Sequence, residues 1–194
     1  TPAMTAMTAL ALHDLTGGRF ILGLGASGPQ VVEGLHSTRY NPALSRTKET
    51  VDICRMIFRG EKVNYDGKVY QMPLAASEGK AIRIDHEPAD IPIYLATLGP
   101  KSLVYTGEAA QGWLGTSFSP DHPEAHLDYL AQGAAQAGRS ISDIDLCVSA
   151  RIEIGDDIEA MIDRRRPAVL RAGRRRPRGD ACRRAGPFRS WSRP

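Results

Sequence analysis

The residues best suited to chemistry lie in residues 17–36, GGRFILGLGASGPQVVEGLH. An apolar run of strand length, residues 19–25, delivers a loop of small residues, Ala26-Ser27-Gly28-Pro29. A buried strand ending in Gly and Ser brings backbone N–H groups to a ligand without side-chain bulk, and α/β folds build their sites at such ends. A second strand, residues 91–96 (IPIYLA), ends in Thr97-Leu98-Gly99-Pro100-Lys101 and runs into a helix. A helix N-terminus beside a lysine suits a phosphate. Two further strands end near Thr116, Ser117 and Ser119, and near Arg151 and Glu153. Small residues and neutral donors dominate this set. They fit a large flat ligand with polar edges and phosphates, held mainly by backbone.

Other chemistries fit less well. No His/Asp/Glu cluster recurs, so no metal site is expected. Gly25-Ala26-Ser27-Gly28 is not the G-x-S-x-G of a nucleophile elbow. Gly23-x-Gly25-x-x-Gly28 matches a dinucleotide fingerprint, but Pro29 follows at once and no long helix opens for more than a dozen residues. Glu33 reads equally as a site acid or a solvated loop residue. His36 reads as a loop residue, His13 as a helix C-terminal cation, and Trp113 as core packing.

These positions need a scaffold, and the chain alternates helical and strand patterns. Residues 5–15 form a helix of good helix formers that Gly17-Gly18 stops. Residues 41–58 carry Val51, Cys54 and Phe58 on one helical face. Residues 61–72 read as a hairpin turning at Asp66-Gly67 with type I′ geometry. Residues 73–90 are a polar excursion. A helix over 102–110, a strand over 112–118, a helix over 121–137, a strand over 144–154 and a helix opening at 156–163 complete the series. The alternation predicts an α/β fold with a parallel sheet, either open and doubly wound or closed as a barrel. Only four principal strands are visible, where a full (β/α)8 barrel takes about 250 residues.

Charge divides the chain. Residues 1–163 hold 13 Lys+Arg against 21 Asp+Glu, while residues 164–194 hold 12 Arg and one acid. The first part is an acidic domain; the second is an Arg-rich tail without apolar periodicity. Arg without Lys, among Ala, Gly and Pro, is what GC-rich DNA encodes out of frame, so the tail is expected to be frameshifted and non-native rather than a disordered native tail or a nucleic-acid-binding arm. Cys54, Cys147 and Cys182 lie far apart without metal-ligand spacing, which fits a reducing, cytoplasmic compartment. No run predicts a membrane span. Opening in mid-helix, the chain reads as a piece of a longer domain.

Taken together, LTGGRFILGLGASGPQVVEGLH, RTKETVDICRMIFRGEKVNYDGKVYQM and IPIYLATLGPKSLVYTGEAAQGWLGTSFSP resemble the bacterial luciferase-like monooxygenase superfamily. The narrower resemblance is to its coenzyme F420-dependent oxidoreductases, the branch of the methylenetetrahydromethanopterin reductases. It covers about residues 1–163 and implies an incomplete TIM barrel lacking its first strands. It places Gly25, Ala26, Ser27 and Gly28 near the deazaflavin ring or its side chain. It places Ala96, Thr97, Leu98 and Gly99 at the ribityl-phosphate arm, with Lys101 adjacent, and the hairpin beside the substrate pocket. The implied chemistry is F420-dependent hydride transfer with a small-molecule substrate; an FMN-dependent monooxygenase and a non-catalytic, basic-tailed remnant are the alternatives. The family's proton donor sits on strands that have no counterpart here, so no catalytic acid is assigned. A full-length form is expected to be a homo-oligomer.

Overall fold

The computed structural model describes residues 1–116, 118–149 and 152–174, with side chains through residue 166. Ser117, Arg151, Cys182 and the tail beyond residue 174 lie outside the described residues. The chain divides into two compact units after Ser149.

The first unit opens with helix α1 (Pro2–Leu15), whose N-terminus Thr1 caps by accepting from the Met4 N–H. Gly17 and Gly18, both at positive φ, turn the chain into strand β1 (Leu22–Gly25). A four-residue helix, α2 (Pro29–Val32), follows, then the long helix α3 (Ala43–Phe58). A short antiparallel pair, β2 (Tyr65–Asp66) and β3 (Gln71–Met72), precedes β4 (Ile93–Ala96), α4 (Pro100–Ala109), β5 (Gly112–Gly115), α5 (Glu124–Gln136) and β6 (Asp145–Val148). Strands β1, β4, β5 and β6 form one parallel sheet in that order, with Gly25 beside Ala96 and Gly112 beside Asp145.

Each strand adds beside its predecessor, and the helices cover one face. Leu22, Ile93 and Leu95 are buried with Ala6, Ala9 and Leu10 of α1 and Val51, Cys54 and Ile57 of α3. Trp113 is buried with Leu103 of α4 and Leu130 and Ala134 of α5. Gly107 and Gly133 let α4 and α5 touch backbone to backbone: a Cβ on Gly133 would lie 1.8 Å from the Val104 oxygen. A doubly wound sheet would carry helices on both faces. Helices on one face, with strands added in a single direction, make this the wall of a barrel.

The pleat turns the alternate residues the other way: Gly23, Gly25, Tyr94, Ala96, Gly112, Leu114, Asp145 and Cys147. Contacts bear this out. The Tyr94 ring lies against Gly112, and its hydroxyl donates to Asp145 Oδ2 at 2.6 Å. A Cβ on Gly23 would meet Leu114 at 3.5 Å.

The strands are shorter than their apolar runs, because pairing covers only four residues of each. The hairpin departs from its expected turn. Tyr65 pairs Met72 and Asp66 pairs Gln71, so residues 67–70 form a four-residue loop rather than a two-residue turn. Glu49, buried in mid-α3, dictates this loop: its carboxylate accepts from the N–H groups of Lys68, Val69 and Tyr70 at 2.8–3.1 Å. The hairpin also lies elsewhere than the resemblance implies. Its roots hold the C-terminal end of α3, through Glu61 N–H to the Met56 oxygen and Ala89 N–H to the Phe58 oxygen. Tyr65 donates to Asp52 of α3. Chain between a helix end and the next parallel strand sits at the strands' N-terminal edge, opposite the ligand loops.

The second unit holds irregular residues 152–157 and helix α6 (Ile158–Arg174), which runs across the charge boundary at residue 164. Asp157 caps α6 by accepting from the Ala160 N–H, and Arg165 pairs with Glu153.

Candidate functional site

The site is built where β1 and β4 end side by side. Register sets Gly25 against Ala96, and a Cβ on Gly25 would lie 3.4 Å from the Ala96 Cβ. Two neighbouring strand ends therefore present backbone and one methyl group, a flat shelf on the face that no helix of the first unit covers. Ser27 then adopts φ 56°, the left-handed region that a non-glycine residue seldom enters. Gly28 starts α2, so a helix does follow the glycine loop, but one turn only. The loop from 28 to 42 is tied back by Tyr40: its hydroxyl reaches the Ser27 oxygen at 3.5 Å, and its N–H donates to Glu33 at 3.0 Å. Glu33 thus holds the loop in shape.

On the β4 side Thr97 is buried and fully engaged. Its hydroxyl pairs with that of Thr106 at 2.8 Å, Thr106 donates on to the Ser102 oxygen, and the buried Trp113 indole donates to the Thr97 carbonyl at 3.0 Å. Thr97 fixes the loop; Leu98, Gly99 and Lys101 are its exposed part. Gly99 is the N-cap of α4, with no side-chain cap. Pro100 has no N–H, and those of Ser102 and Leu103 go to the Gly99 carbonyl. Among the described residues the Lys101 N–H is the free donor of that first turn, beside the Lys101 ammonium. An uncapped ten-residue helix end with a lysine favours an anion.

The structure therefore gathers Gly25, Ala26, Ser27 and Gly28 with Ala96, Thr97, Leu98, Gly99 and Lys101 at one edge of the sheet. Glu153 falls in the second unit. Trp113 is wholly buried, packing edge-on to Phe118 and against His126. No metal-ligand cluster occurs among the described residues. Cys54 and Cys147 are free thiols; burial pushes Cys54 up to about 12.

Three groups near the site are absent from the sequence reading. Arg46 of α3 donates to the Tyr40 carbonyl at 2.8 Å and lines a recess under the Ser27 loop. The Tyr94–Asp145 pair floors the open face. His126 packs against both Trp113 and Phe118 with its Nδ1 buried and unpartnered among the described residues. Strand alternation carried the signal for Tyr94. No periodicity singles out Arg46, whose role depends on the Tyr40 carbonyl and on the packing of α3 under the loop.

Comparison with known proteins decides the family. The family description of the luciferase-like monooxygenases matches residues 1–190. The chain belongs to the luciferase-like monooxygenase family. Among relatives within it, a protein of Mycobacterium tuberculosis whose name assigns it to the coenzyme F420-dependent oxidoreductases is 42% identical over 166 residues, covering 81% of this chain and 48% of that one. The 5,10-methylenetetrahydromethanopterin reductase of Archaeoglobus fulgidus is 30% identical over 157 residues, covering 81% and 45%. The solved coenzyme F420-dependent tetrahydromethanopterin reductase of Methanopyrus kandleri superposes with a TM-score of 0.65 at 27% identity, over 80% of this chain and 48% of that one. The chain thus spans about half the length of the curated relatives it matches. No helix among the described residues is long and apolar enough to cross a membrane.

Proposed function

We propose that this chain forms the cofactor-holding wall of an oxidoreductase that uses coenzyme F420 for hydride transfer to or from a small organic substrate. The observation that carries the reading is the Gly25–Ala96 shelf beside the uncapped start of α4. The residues present fit the group. A flat ring needs a surface without side chains, and two adjacent strand ends supply one. An anionic arm needs donors, and the Lys101 N–H and ammonium lie one loop away. A bound deazaflavin supplies C5, the carbon that gives or takes a hydride. The chain's residues orient it. Gly25 and Ala96 set how closely the ring approaches the sheet. Ser27, turned to positive φ, presents loop backbone to its edge. The Thr97–Thr106–Trp113 network keeps the β4 loop from closing over the shelf. Names of the relatives support F420 over FMN as the cofactor.

The test is a titration of the full chain with F420 and with FMN, followed by cofactor fluorescence. Binding of F420, lost on Gly25→Val, is the expected result. Preference for FMN would move the reading to a flavin monooxygenase. Binding of neither would overturn it in favour of a non-catalytic chain.

A further inference from the structure

Beside the shelf, and sharing its Gly25–Ser27 edge, lies a recess whose helix-side donors the proposed hydride chemistry does not use. A cavity of about 180 Å³ separates the end of β1 from α3. Gly25, Ala26 and Ser27 line it on the strand side, and Arg46, Thr47 and Thr50 on the helix side. Liquid water takes about 30 Å³ per molecule, so this space holds a tetrahedral oxyanion with some of its hydration.

The donors there are unspent. A guanidinium carries five N–H groups in a fixed fork. Among the described residues Arg46 gives only Nη1 to the protein, to the Tyr40 carbonyl. That bond orients the fork and leaves Nε and Nη2 without a protein acceptor. The Ser27 and Thr50 hydroxyls make no hydrogen bond among the described residues, whereas Thr47 donates to the Ala43 carbonyl at 3.1 Å. Among the described residues no carboxylate lines the cavity. The acids on the flanking segments are occupied: Glu33 by the Tyr40 N–H, Glu49 by the hairpin loop. One oriented cation, two free hydroxyls and no opposing charge match an oxyanion better than a neutral or cationic group.

We propose that this recess binds a phosphate- or carboxylate-type oxyanion, with Arg46 as its counter-charge and Ser27 and Thr50 as donors. The anion has two possible sources, an acidic group on the cofactor's side arm or a phosphate arriving on its own or on the substrate. The first source rests on the F420 reading; the site itself does not.

The experiment titrates the full chain with inorganic phosphate, read by phosphorus NMR line broadening and by thermal shift. Arg46→Gln is expected to weaken phosphate at least tenfold, and Thr50→Val, which keeps volume and removes the hydroxyl, about threefold. F420 is then compared with the same deazaflavin lacking its phosphate-bearing arm. Weaker F420 binding in Arg46→Gln, with the armless compound unaffected, assigns the anion to the cofactor. Weaker phosphate binding with F420 unaffected assigns it to substrate or free phosphate. Phosphate bound through Arg46 in a chain that takes neither F420 nor FMN sinks the hydride reading and keeps the site. If Arg46→Gln loses its far-ultraviolet circular dichroism, Thr50→Val and Ser27→Ala carry the test. Phosphate that fails to bind, or binds equally well to the variants that fold, overturns the proposal.

Discussion

The two faces of the parallel sheet are built to opposite rules. On the covered face Ile93, Leu95 and Trp113 have no exposed surface, and the helices above them meet through alanines and glycines. On the other face the same strands offer Gly23, Gly25 and Ala96, the Tyr94 ring covers Gly112, and Tyr94, Leu114, Asp145 and Cys147 are only partly covered or exposed. Burial of large apolar side chains drives folding at about 25 cal/mol per Å², so the first face carries stability. Small residues give up that gain and leave backbone within reach of a ligand. Substitutions on the two faces should therefore separate stability from binding.

The largest expected effect is on the covered face, at the α4–α5 crossing. Gly133→Ala places a methyl group 1.8 Å from the Val104 oxygen, and Gly107→Ala one 2.0 Å from the Leu130 oxygen. Either forces the helices apart. Alanine's better helix propensity returns at most about 1 kcal/mol, against an overpacking cost of about 3 kcal/mol. Chemical denaturation should show a net loss near 2 kcal/mol or more for each; an unchanged midpoint would mean that the crossing is not so tight.

Glu49 comes next. Its carboxylate is the shared acceptor for three consecutive backbone N–H groups. Glu49→Ala orphans them, but the loop is only part-buried and water restores some bonds. A loss of about 2 kcal/mol is expected, with Glu49→Gln between it and wild type. Hydrogen exchange should quicken first at Lys68, Val69 and Tyr70. Protection there that outlasts the substitution would count against Glu49 as the organiser of the loop.

On the open face Gly25→Val should do the reverse. The added Cβ meets Ala96 at ordinary contact distance, and φ is not in the glycine region. Stability should stay within about 0.5 kcal/mol, while F420 affinity falls at least tenfold, about 1.4 kcal/mol. A destabilised variant with intact binding would reverse the roles assigned to the faces.

How much of this was legible in the sequence differs between the faces as well. The apolar runs located all four strands, and burial where helices lie over them, at Leu22, Ile93, Leu95 and Trp113, whereas Leu146 and Val148 of β6 are exposed. The strand limits were overdrawn, because residues such as Phe20, Ile21, Ile152 and Ile154 continue the apolar pattern past the ladder, and three of these four are exposed. The shelf was readable because Gly25 and Ala96 follow strand patterns that fix where a parallel sheet puts its loops. Arg46 was not, since its use depends on Tyr40 and on a cavity that only packing creates. The hairpin turn was misjudged for the same reason: Asp66-Gly67 favours a tight turn locally, but Glu49, far upstream, offers three hydrogen bonds to a longer loop. Pairwise contacts across helices and loops leave no period to read.

The finest distinction is between two tyrosines, both pushed up to about 12. Tyr94, on the open face, is raised mainly by its hydrogen bond to Asp145, with desolvation second. Tyr65, in the hairpin against α3, is raised mainly by desolvation, with the bond to Asp52 second. An unfolded tyrosine ionises near 10. Above that pH the unfolded chain loses protons that the native chain keeps, so stability is whole below pH 10 and declines as pH rises toward 12. Both phenols share that sign, and only their causes differ. Asp145→Asn keeps an acceptor but removes the charge, so it should bring Tyr94 most of the way back toward 10. Asp52→Asn should leave Tyr65 clearly raised, because burial remains. Phenolate absorbance in Tyr65→Phe and Tyr94→Phe backgrounds isolates each group. If both aspartate variants lower their tyrosines equally, the two environments are not different in kind, and the contrast between a covered and an open side narrows to apolar packing alone.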